Sequence, residues 1–157
     1  MSTQRNNIDF QTPLDICEYM ASYLPENAGI ILEPTAGAGN LVSQLKIKGD
    51  VIAPDDFFEL DDRKFDWIVM NPPFSPMTLG YEILYTCMEK TNNLVALMPW
   101  LTLINSEKRL SAIMNYGLVS VTHLPRNVFK GSRVQTCILH MQKGYSGDTQ
   151  FIQHIRK

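Results

Sequence analysis

The sequence has few cysteines and no long apolar run. Its three cysteines, Cys17, Cys87 and Cys137, lie far apart and form no CxxC pair, which excludes a disulfide scaffold and a cysteine-based zinc site. The longest apolar run, over 94–101, is broken by Pro99 and is too short to cross a bilayer. The first 13 residues are polar and resemble neither a signal peptide nor a transit peptide. These absences predict a protein of the reducing cytoplasm that has no membrane partner.

Charged residues are also sparse, at 19% of the 157 residues, whereas 45% are hydrophobic, as in a globular protein. The length predicts a single domain over 1–157. The net charge of −2 is unevenly distributed: residues 1–105 hold 6 Lys/Arg and 14 Asp/Glu, and residues 106–157 hold 8 and 2. The basic final third is either an ordinary solvated surface or one that faces an anion such as nucleic acid.

Apolar periodicity predicts helices that alternate with short buried strands. The first helix is expected to take Thr12 as its N-cap and to bury Leu14, and a later helix is expected to begin after Ser106. The predicted strands are 29–32, 51–53, 66–70, 94–98, 118–123 and 136–141, with a further edge strand over 149–154. This order indicates a mostly parallel α/β sheet of six or seven strands with helices on both faces. No helix separates 118–123 from 136–141, so these two strands are expected to pair antiparallel at one edge.

A glycine loop, Glu33–Gly39, follows the first predicted strand and leads into a helix. Gly37 and Gly39 allow a sharp turn and close approach of a ligand to the main chain, but the third glycine of the dinucleotide fingerprint is absent. Glu33 at the strand end would repel a pyrophosphate and attract an ammonium group. The loop therefore favours S-adenosylmethionine over a dinucleotide, although a plain turn between strand and helix fits this segment equally well.

The segment Asn71–Phe74 follows a second buried strand. Two consecutive prolines hold the backbone extended and donate no hydrogen bond, so the Asn71 side-chain oxygen and the Pro72 carbonyl can point at one amino group. Two such acceptors orient the amine and favour attack by its lone pair, and Phe74 offers a flat face for stacking. A proline-rich turn is the simpler interpretation. The functional one is favoured because the glycine loop ends another strand of the same sheet.

No metal site is predicted. The histidines His123, His140 and His154 lack metal-ligand spacing. The acidic cluster over 55–62 lacks the spacing of a calcium loop and is interpreted as a solvated loop.

The glycine loop and the segment Asn71–Phe74 resemble the S-adenosylmethionine-dependent amino-methyltransferases, most closely the N6-adenine DNA methyltransferases of restriction–modification type. The similarity covers nearly the whole chain, from Asp9–Pro13 to the late segment around Phe129. It implies a Rossmann-like sheet and a set of cofactor-binding residues: Thr12, Pro13, Glu33, Pro34, Ala36, Gly37, Gly39, Asp56 and Phe57. It also implies a catalytic set, Asn71, Pro72, Pro73 and Phe74.

The sequence departs from this family in two respects. Only 17 steps separate Gly39 from Asp56, so one strand–helix pair is expected to be missing, together with the usual ribose-binding acid, for which Asp55 is the candidate substitute. The family usually continues into a target-recognition domain, whereas this sequence ends at Lys157. DNA recognition is therefore expected to be minimal, absent or supplied by a separate specificity subunit.

The resemblance predicts methyl transfer to the N6 amino group of adenine in a flipped-out DNA base. Phe129 is expected to stack on that base, and Arg126, Lys130 and Arg133 to contact phosphates; the alternative is that Phe129 is a core aromatic. Three other functions remain open: methylation of an RNA base, methylation of a protein glutamine amide, and a DNA- or partner-binding module that has lost its cofactor.

Overall fold

The computed structural model describes residues 12–35, 39–73, 76–129, 131 and 134–154. A single seven-stranded sheet dominates it, in the order β2-β1-β3-β4-β6-β5-β7. The strands are β1 Ile30–Leu32, β2 Asp50–Ile52, β3 Trp67–Met70, β4 Asn93–Pro99, β5 Leu118–His123, β6 Thr136–Gln142 and β7 Gln150–Gln153. The helices are α1 Leu14–Ala21, α2 Asn40–Leu45, α3 Met77–Met88, α4 Leu101–Ile104 and α5 Glu107–Tyr116. The predicted α/β class is confirmed.

The strands β2, β1, β3 and β4 pair in parallel, so their carboxyl ends meet at one edge of the sheet. The expected antiparallel pair of β5 and β6 is present. Its position adds a detail that the sequence did not predict. β6 is inserted antiparallel between β4 and β5, and the outermost strand is β7, which runs parallel to β5.

Both faces of the sheet are covered, because alternate strand residues point to opposite sides. One face packs beneath α3 and α5, and its cluster includes Met70, Leu84 and Ile113. The other packs beneath α1 and α2, with Val69 and Leu45 in its cluster. Burial on both faces explains why β3 and β4 are almost continuously apolar.

The first helix differs from the prediction at its start. Pro13 is the N-cap of α1 and no side chain caps that end, because the Thr12 hydroxyl is engaged elsewhere. Leu14 is 54% exposed, so its expected burial is wrong, and Ile16 is buried instead. The prediction at the other helix is confirmed: Ser106 caps α5 by accepting a hydrogen bond from the Arg109 main-chain N–H at 3.2 Å.

The connection between β2 and β3, over 53–66, contains one 3₁₀ turn, Phe57–Glu59, and no further strand of the sheet. This agrees with the predicted loss of a strand–helix pair and leaves β2 at the edge. All three cysteines are free and buried. Among the described residues, no helix is long and apolar enough to span a membrane.

Candidate active site at the carboxyl edge of the sheet

Two polar side chains stand where neighbouring parallel strands end. Glu33 directly follows β1 and Asn71 directly follows β3. Because β1 and β3 are hydrogen-bonded neighbours, these two residues lie at the same carboxyl edge, where α/β sheets bind ligands, with Glu33 level with Val69. Both positions agree with those predicted from the sequence.

Glu33 is a buried carboxylate with one oxygen unpaired. The residue is 1% exposed. Its Oε1 accepts hydrogen bonds from the Thr35 hydroxyl at 2.8 Å and the Thr35 main-chain N–H at 3.2 Å. Its Oε2 is buried and has no hydrogen-bond partner among the described residues. Burial raises the pKa of Glu33 from 4.5 to about 7, although both bonds from Thr35 oppose this shift. A buried oxygen of this kind is suited to a cationic donor.

Thr35 links Glu33 to Asn71. Its hydroxyl donates to Glu33 and accepts from the Asn71 main-chain N–H at 3.1 Å. The Asn71 side-chain nitrogen in turn donates to the Thr12 hydroxyl. No described residue donates to Asn71 Oδ1, so the amide presents its oxygen as an available acceptor.

Thr12 is held in place from three sides. Its main-chain oxygen accepts hydrogen bonds from Asn40 Nδ2 at 3.2 Å and from the Cys17 thiol at 3.6 Å. Burial, followed by the nearby Glu33 carboxylate, raises the pKa of Cys17 to about 12, so this thiol keeps its proton and can donate. Thr12 itself is 5% exposed. A fixed Thr12 hydroxyl fixes the orientation of the Asn71 amide.

The two prolines rest on the first turns of α3. Pro72 is buried and Pro73 is half-buried. A Cβ placed on Gly80 would lie 2.9 Å from the Pro73 carbonyl oxygen and 3.8 Å from Pro72 Cβ. Only glycine therefore lets the helix approach the proline backbone this closely.

The other residues of the predicted cofactor set differ in where the structure places them. Pro13 and Pro34 lie beside Thr12 and Glu33, and Pro34 is buried. Gly39 is the N-cap of α2 with φ of 92°, a conformation that favours glycine, and a Cβ there would meet no atom of a described residue within 4 Å. Ala36 and Gly37 lie outside the described residues, as does Phe74 of the catalytic set.

The pair Asp56 and Phe57 of the predicted cofactor set does not present its aromatic ring to solvent. The Asp56 carboxylate accepts from the Phe58 main-chain N–H at 2.9 Å and so caps its own turn. Phe57 is 7% exposed and packs in the core, whereas Phe58 is 53% exposed. The cofactor role of Asp56 and Phe57 stays a prediction.

The predicted base-contacting residues lie after β5. Phe129 is 4% exposed and packs in the core with Leu124 and Val128. This is the arrangement expected under the alternative in which Phe129 is a core aromatic. Arg126 is exposed, and its Nε and Nη2 donate to the Gln135 amide oxygen at 2.6 and 2.8 Å. Lys130 and Arg133 lie outside the described residues. Base stacking by Phe129 and phosphate contact by the three cations stay predictions.

Sequence reasoning missed Thr35, Asn40 and Gly80. A signal existed for the first two, because Thr35 lies inside the glycine loop two residues after Glu33, and Asn40 follows Gly39 directly. Gly80 had no such signal, since an isolated glycine in a helical pattern reveals nothing about its tertiary contact.

Three solved structures share this arrangement of strands and helices. A protein assigned as a modification subunit of a type I restriction enzyme in Vibrio vulnificus has a TM-score of 0.73 at 16% identity, over 94% of this chain and 47% of that one. The type I restriction–modification methyltransferase subunit from Streptococcus thermophilus has a TM-score of 0.71 at 14% identity, over 92% and 47%. The 23S rRNA methyltransferase ErmE has a TM-score of 0.58 at 13% identity, over 82% and 67%.

The fold is that of the S-adenosylmethionine-dependent methyltransferases. The predicted Rossmann-like sheet and its resemblance to restriction–modification enzymes are thus confirmed at the level of the methyltransferase fold. This chain spans about half the length of the two modification subunits. No protein-family model and no curated protein matches the sequence.

The methyltransferase fold implies S-adenosylmethionine, and the carboxyl-edge residues fit it. Glu33 Oε2 is a buried acceptor with no hydrogen-bond partner among the described residues, which suits an ammonium group. No described atom lies within 4 Å of a Cβ placed on Gly39, so the described residues leave the main chain open there.

Proposed function

We propose that this chain transfers a methyl group from S-adenosylmethionine to the exocyclic N6 amino group of adenine in DNA. One observation carries the proposal: the unpaired oxygen of buried Glu33 is linked through Thr35 to Asn71, whose amide oxygen is an available acceptor. An anionic site for an ammonium group and an acceptor for a neutral amine therefore lie together at the carboxyl edge.

The chemistry needs positioning rather than a strong base. Bound S-adenosylmethionine supplies a methyl carbon on a positively charged sulfur. Asn71 Oδ1 and the Pro72 carbonyl accept hydrogen bonds from the two N–H groups of the target amine and direct its lone pair toward that carbon. Glu33 would hold the ammonium group of bound S-adenosylmethionine, whose sulfur would retain the electron pair of the broken carbon–sulfur bond, and the methylated nitrogen would release a proton to water.

The nucleic acid class rests on two observations. The basic stretch over 106–157, with 8 Lys/Arg and 2 Asp/Glu, includes the connection after β5 beside this edge. The two modification subunits belong to restriction–modification systems, which supports DNA as the substrate. An RNA base is the second candidate, because ErmE is an rRNA methyltransferase and covers 82% of this chain.

A separate specificity subunit is the proposed partner. One of the matching structures concerns complex assembly in a type I restriction–modification system, over 98% of this chain and 48% of that one. In this proposal the partner supplies the recognition of the DNA sequence, and this chain supplies the methyl-transfer site. The proposed site of action is the cytoplasm.

The first test is a calorimetric titration with S-adenosylmethionine, followed by transfer of radioactive methyl to DNA, RNA and a glutamine peptide in parallel. We expect binding and incorporation into adenine-containing DNA alone. Incorporation into RNA would select the second candidate. Absence of cofactor binding would contradict methyl transfer and would favour the alternative function, a DNA- or partner-binding module that has lost its cofactor.

Gly80→Ala tests whether α3 positions the prolines. Alanine is more favourable than glycine in a helix interior by about 1 kcal/mol, so we expect the substitution to leave the helix folded and to change the melting temperature little. Its Cβ would nevertheless displace the Pro73 carbonyl, and we expect turnover to fall at least about tenfold, since small misplacements are costly in catalysis. Thr78→Ala, an exposed change in the same helix, is the matched control. Equal turnover in the two variants would remove Gly80 from the site.

A further inference from the structure

A second group of aromatic side chains lies at the same edge, beyond β4 and β5. Trp100 directly follows β4, His123 ends β5, and Phe151 lies in the edge strand β7. The Trp100 and Phe151 rings are stacked, with centroids 5.8 Å apart and planes at 29°. The Trp100 and His123 rings are 5.8 Å apart. Three strands thus contribute one continuous aromatic surface.

This aromatic surface is held rigidly. Trp100 Nε1 donates to His123 Nδ1 at 2.9 Å, which fixes the indole plane. The Trp100 main-chain N–H donates to the Gln135 carbonyl at 2.9 Å. A ring that is ordered before binding loses little entropy when a ligand stacks on it.

Phe151 is 67% exposed. Single exposed apolar residues are common. Phe151 differs because its exposed ring is stacked on the fixed Trp100 ring and so adds apolar area beside it. Phe129, the aromatic predicted for base stacking, is 4% exposed and offers no comparable surface.

Positive charge borders the aromatic surface. Gln135, whose carbonyl holds Trp100, also holds the exposed guanidinium of Arg126 through its side chain. The stretch 106–157, to which His123 and Phe151 belong, carries 8 Lys/Arg and 2 Asp/Glu. Flat aromatic rings beside a guanidinium match a nucleotide, which has a π face and a phosphate.

The strand register gives the distance from Asn71. Met70 pairs with Ala96, so Asn71 is level with residue 97, whereas His123 is level with residue 98 because both His123 and Met98 pair with Cys137. Three strand spacings of about 4.8 Å separate β3 from β5, so the aromatic surface lies roughly 14 Å to the side of Asn71. About four stacked nucleotides, at roughly 3.4 Å each, span that length.

We propose that Trp100, His123 and Phe151 form a nucleobase-stacking platform that binds a nucleotide a few positions from the target base. The platform extends the proposed function and assumes its nucleic acid substrate, but it is separate from the residues that hold the methyl donor and the target amine. It binds through stacking and is therefore tolerant of base identity.

The test is fluorescence anisotropy of a labelled single-stranded oligodeoxynucleotide of about 15 nucleotides, a length at the upper end of common single-strand site sizes, without S-adenosylmethionine. We expect Phe151→Ala to weaken binding about 5-fold to 100-fold, the usual range for loss of one stacked base. The slope of affinity against salt should stay unchanged, because no charge is removed. Arg126→Gln should instead lower that slope by roughly 0.7.

Tyr85→Ala is the matched control, since Tyr85 is an exposed aromatic on α3, 38% accessible and outside the platform. Phe151→Tyr should restore binding, and the melting temperature of Phe151→Ala should match that of Tyr85→Ala. Equal oligonucleotide affinity for Phe151→Ala and Tyr85→Ala would overturn the platform. Oligonucleotide binding is measured without a methyl donor, so a failed methylation assay would contradict the proposed function without deciding the test of the platform.

Discussion

Glu33→Gln is expected to abolish measurable binding of S-adenosylmethionine and at the same time to stabilise the protein. The neutral amide retains an acceptor for Thr35 but removes the negative charge that is proposed to pair with the ammonium group. Loss of a buried charge pair typically costs 3–5 kcal/mol, which corresponds to roughly a 100-fold or greater loss of affinity. Isothermal titration calorimetry at pH 8 measures this effect.

The stability gain follows from the raised pKa. The pKa of Glu33 is about 7 in the folded protein, against an ordinary value of 4.5, so the folded state binds the proton more tightly. Stability is therefore lost as pH rises from about 4.5 to about 7, and at pH 8 the ionised carboxylate costs about 3 kcal/mol. Glu33→Gln removes that cost, and we expect its melting temperature to exceed that of the wild type by roughly 6–12 °C at pH 8. Below pH 4.5 the difference should disappear.

The same pKa predicts how affinity varies with pH. Below about 7 the free protein must lose a proton from Glu33 before it can pair with the ammonium group. Affinity for S-adenosylmethionine should then fall by up to about tenfold per pH unit between pH 7 and pH 5. Glu26→Gln, at an exposed carboxylate remote from the carboxyl edge, is the matched control. Unchanged affinity in Glu33→Gln would show that Glu33 has a structural role only.

Strand positions were predictable because β3 and β4 are buried on both faces, which makes them apolar runs with clear ends. The ends of the apolar runs in β1 and β3 also located Glu33 and Asn71, since the carboxyl edge follows from parallel pairing. The insertion of β6 between β4 and β5 was not predictable, because strand order depends on pairing energies across the whole sheet.

The hydrogen bonds within the site could not be predicted from the sequence for a related reason. Asn71 donates hydrogen bonds to Thr35 and to Thr12, which lie 36 and 59 residues away from it in the sequence. Local spacing identifies a strand end but not the direction of a hydroxyl group there. Thr12 was therefore interpreted as a helix cap, whereas in the folded chain its hydroxyl accepts a hydrogen bond from Asn71.

Asn71→Ala is expected to reduce turnover far more than binding. The variant loses Oδ1, one of the two acceptors proposed for the target amine, and removal of one such preorganised hydrogen-bonding group in an active site costs about 10²–10³ in kcat. Affinity for S-adenosylmethionine should change little, because Glu33 and Thr35 are retained. Asn93→Ala is the matched control, since Asn93 begins β4 at the opposite edge and donates to the Asp66 carbonyl at 3.1 Å.

Substitutions at Thr12 test the orientation of the Asn71 amide without removing it. Thr12→Val removes the acceptor that holds Asn71 Nδ2, so the amide can rotate and expose nitrogen instead of oxygen to the target. We expect kcat to fall by about tenfold, less than in Asn71→Ala, because the amide oxygen still samples its productive orientation. Thr12→Ser retains the hydroxyl and should recover most of the loss, whereas a purely structural role would give Ser and Val variants that differ in melting temperature but not in kcat. If Asn71→Ala methylates DNA as fast as the wild type, the amine is activated elsewhere, and the Thr12 series should then show no trend in kcat.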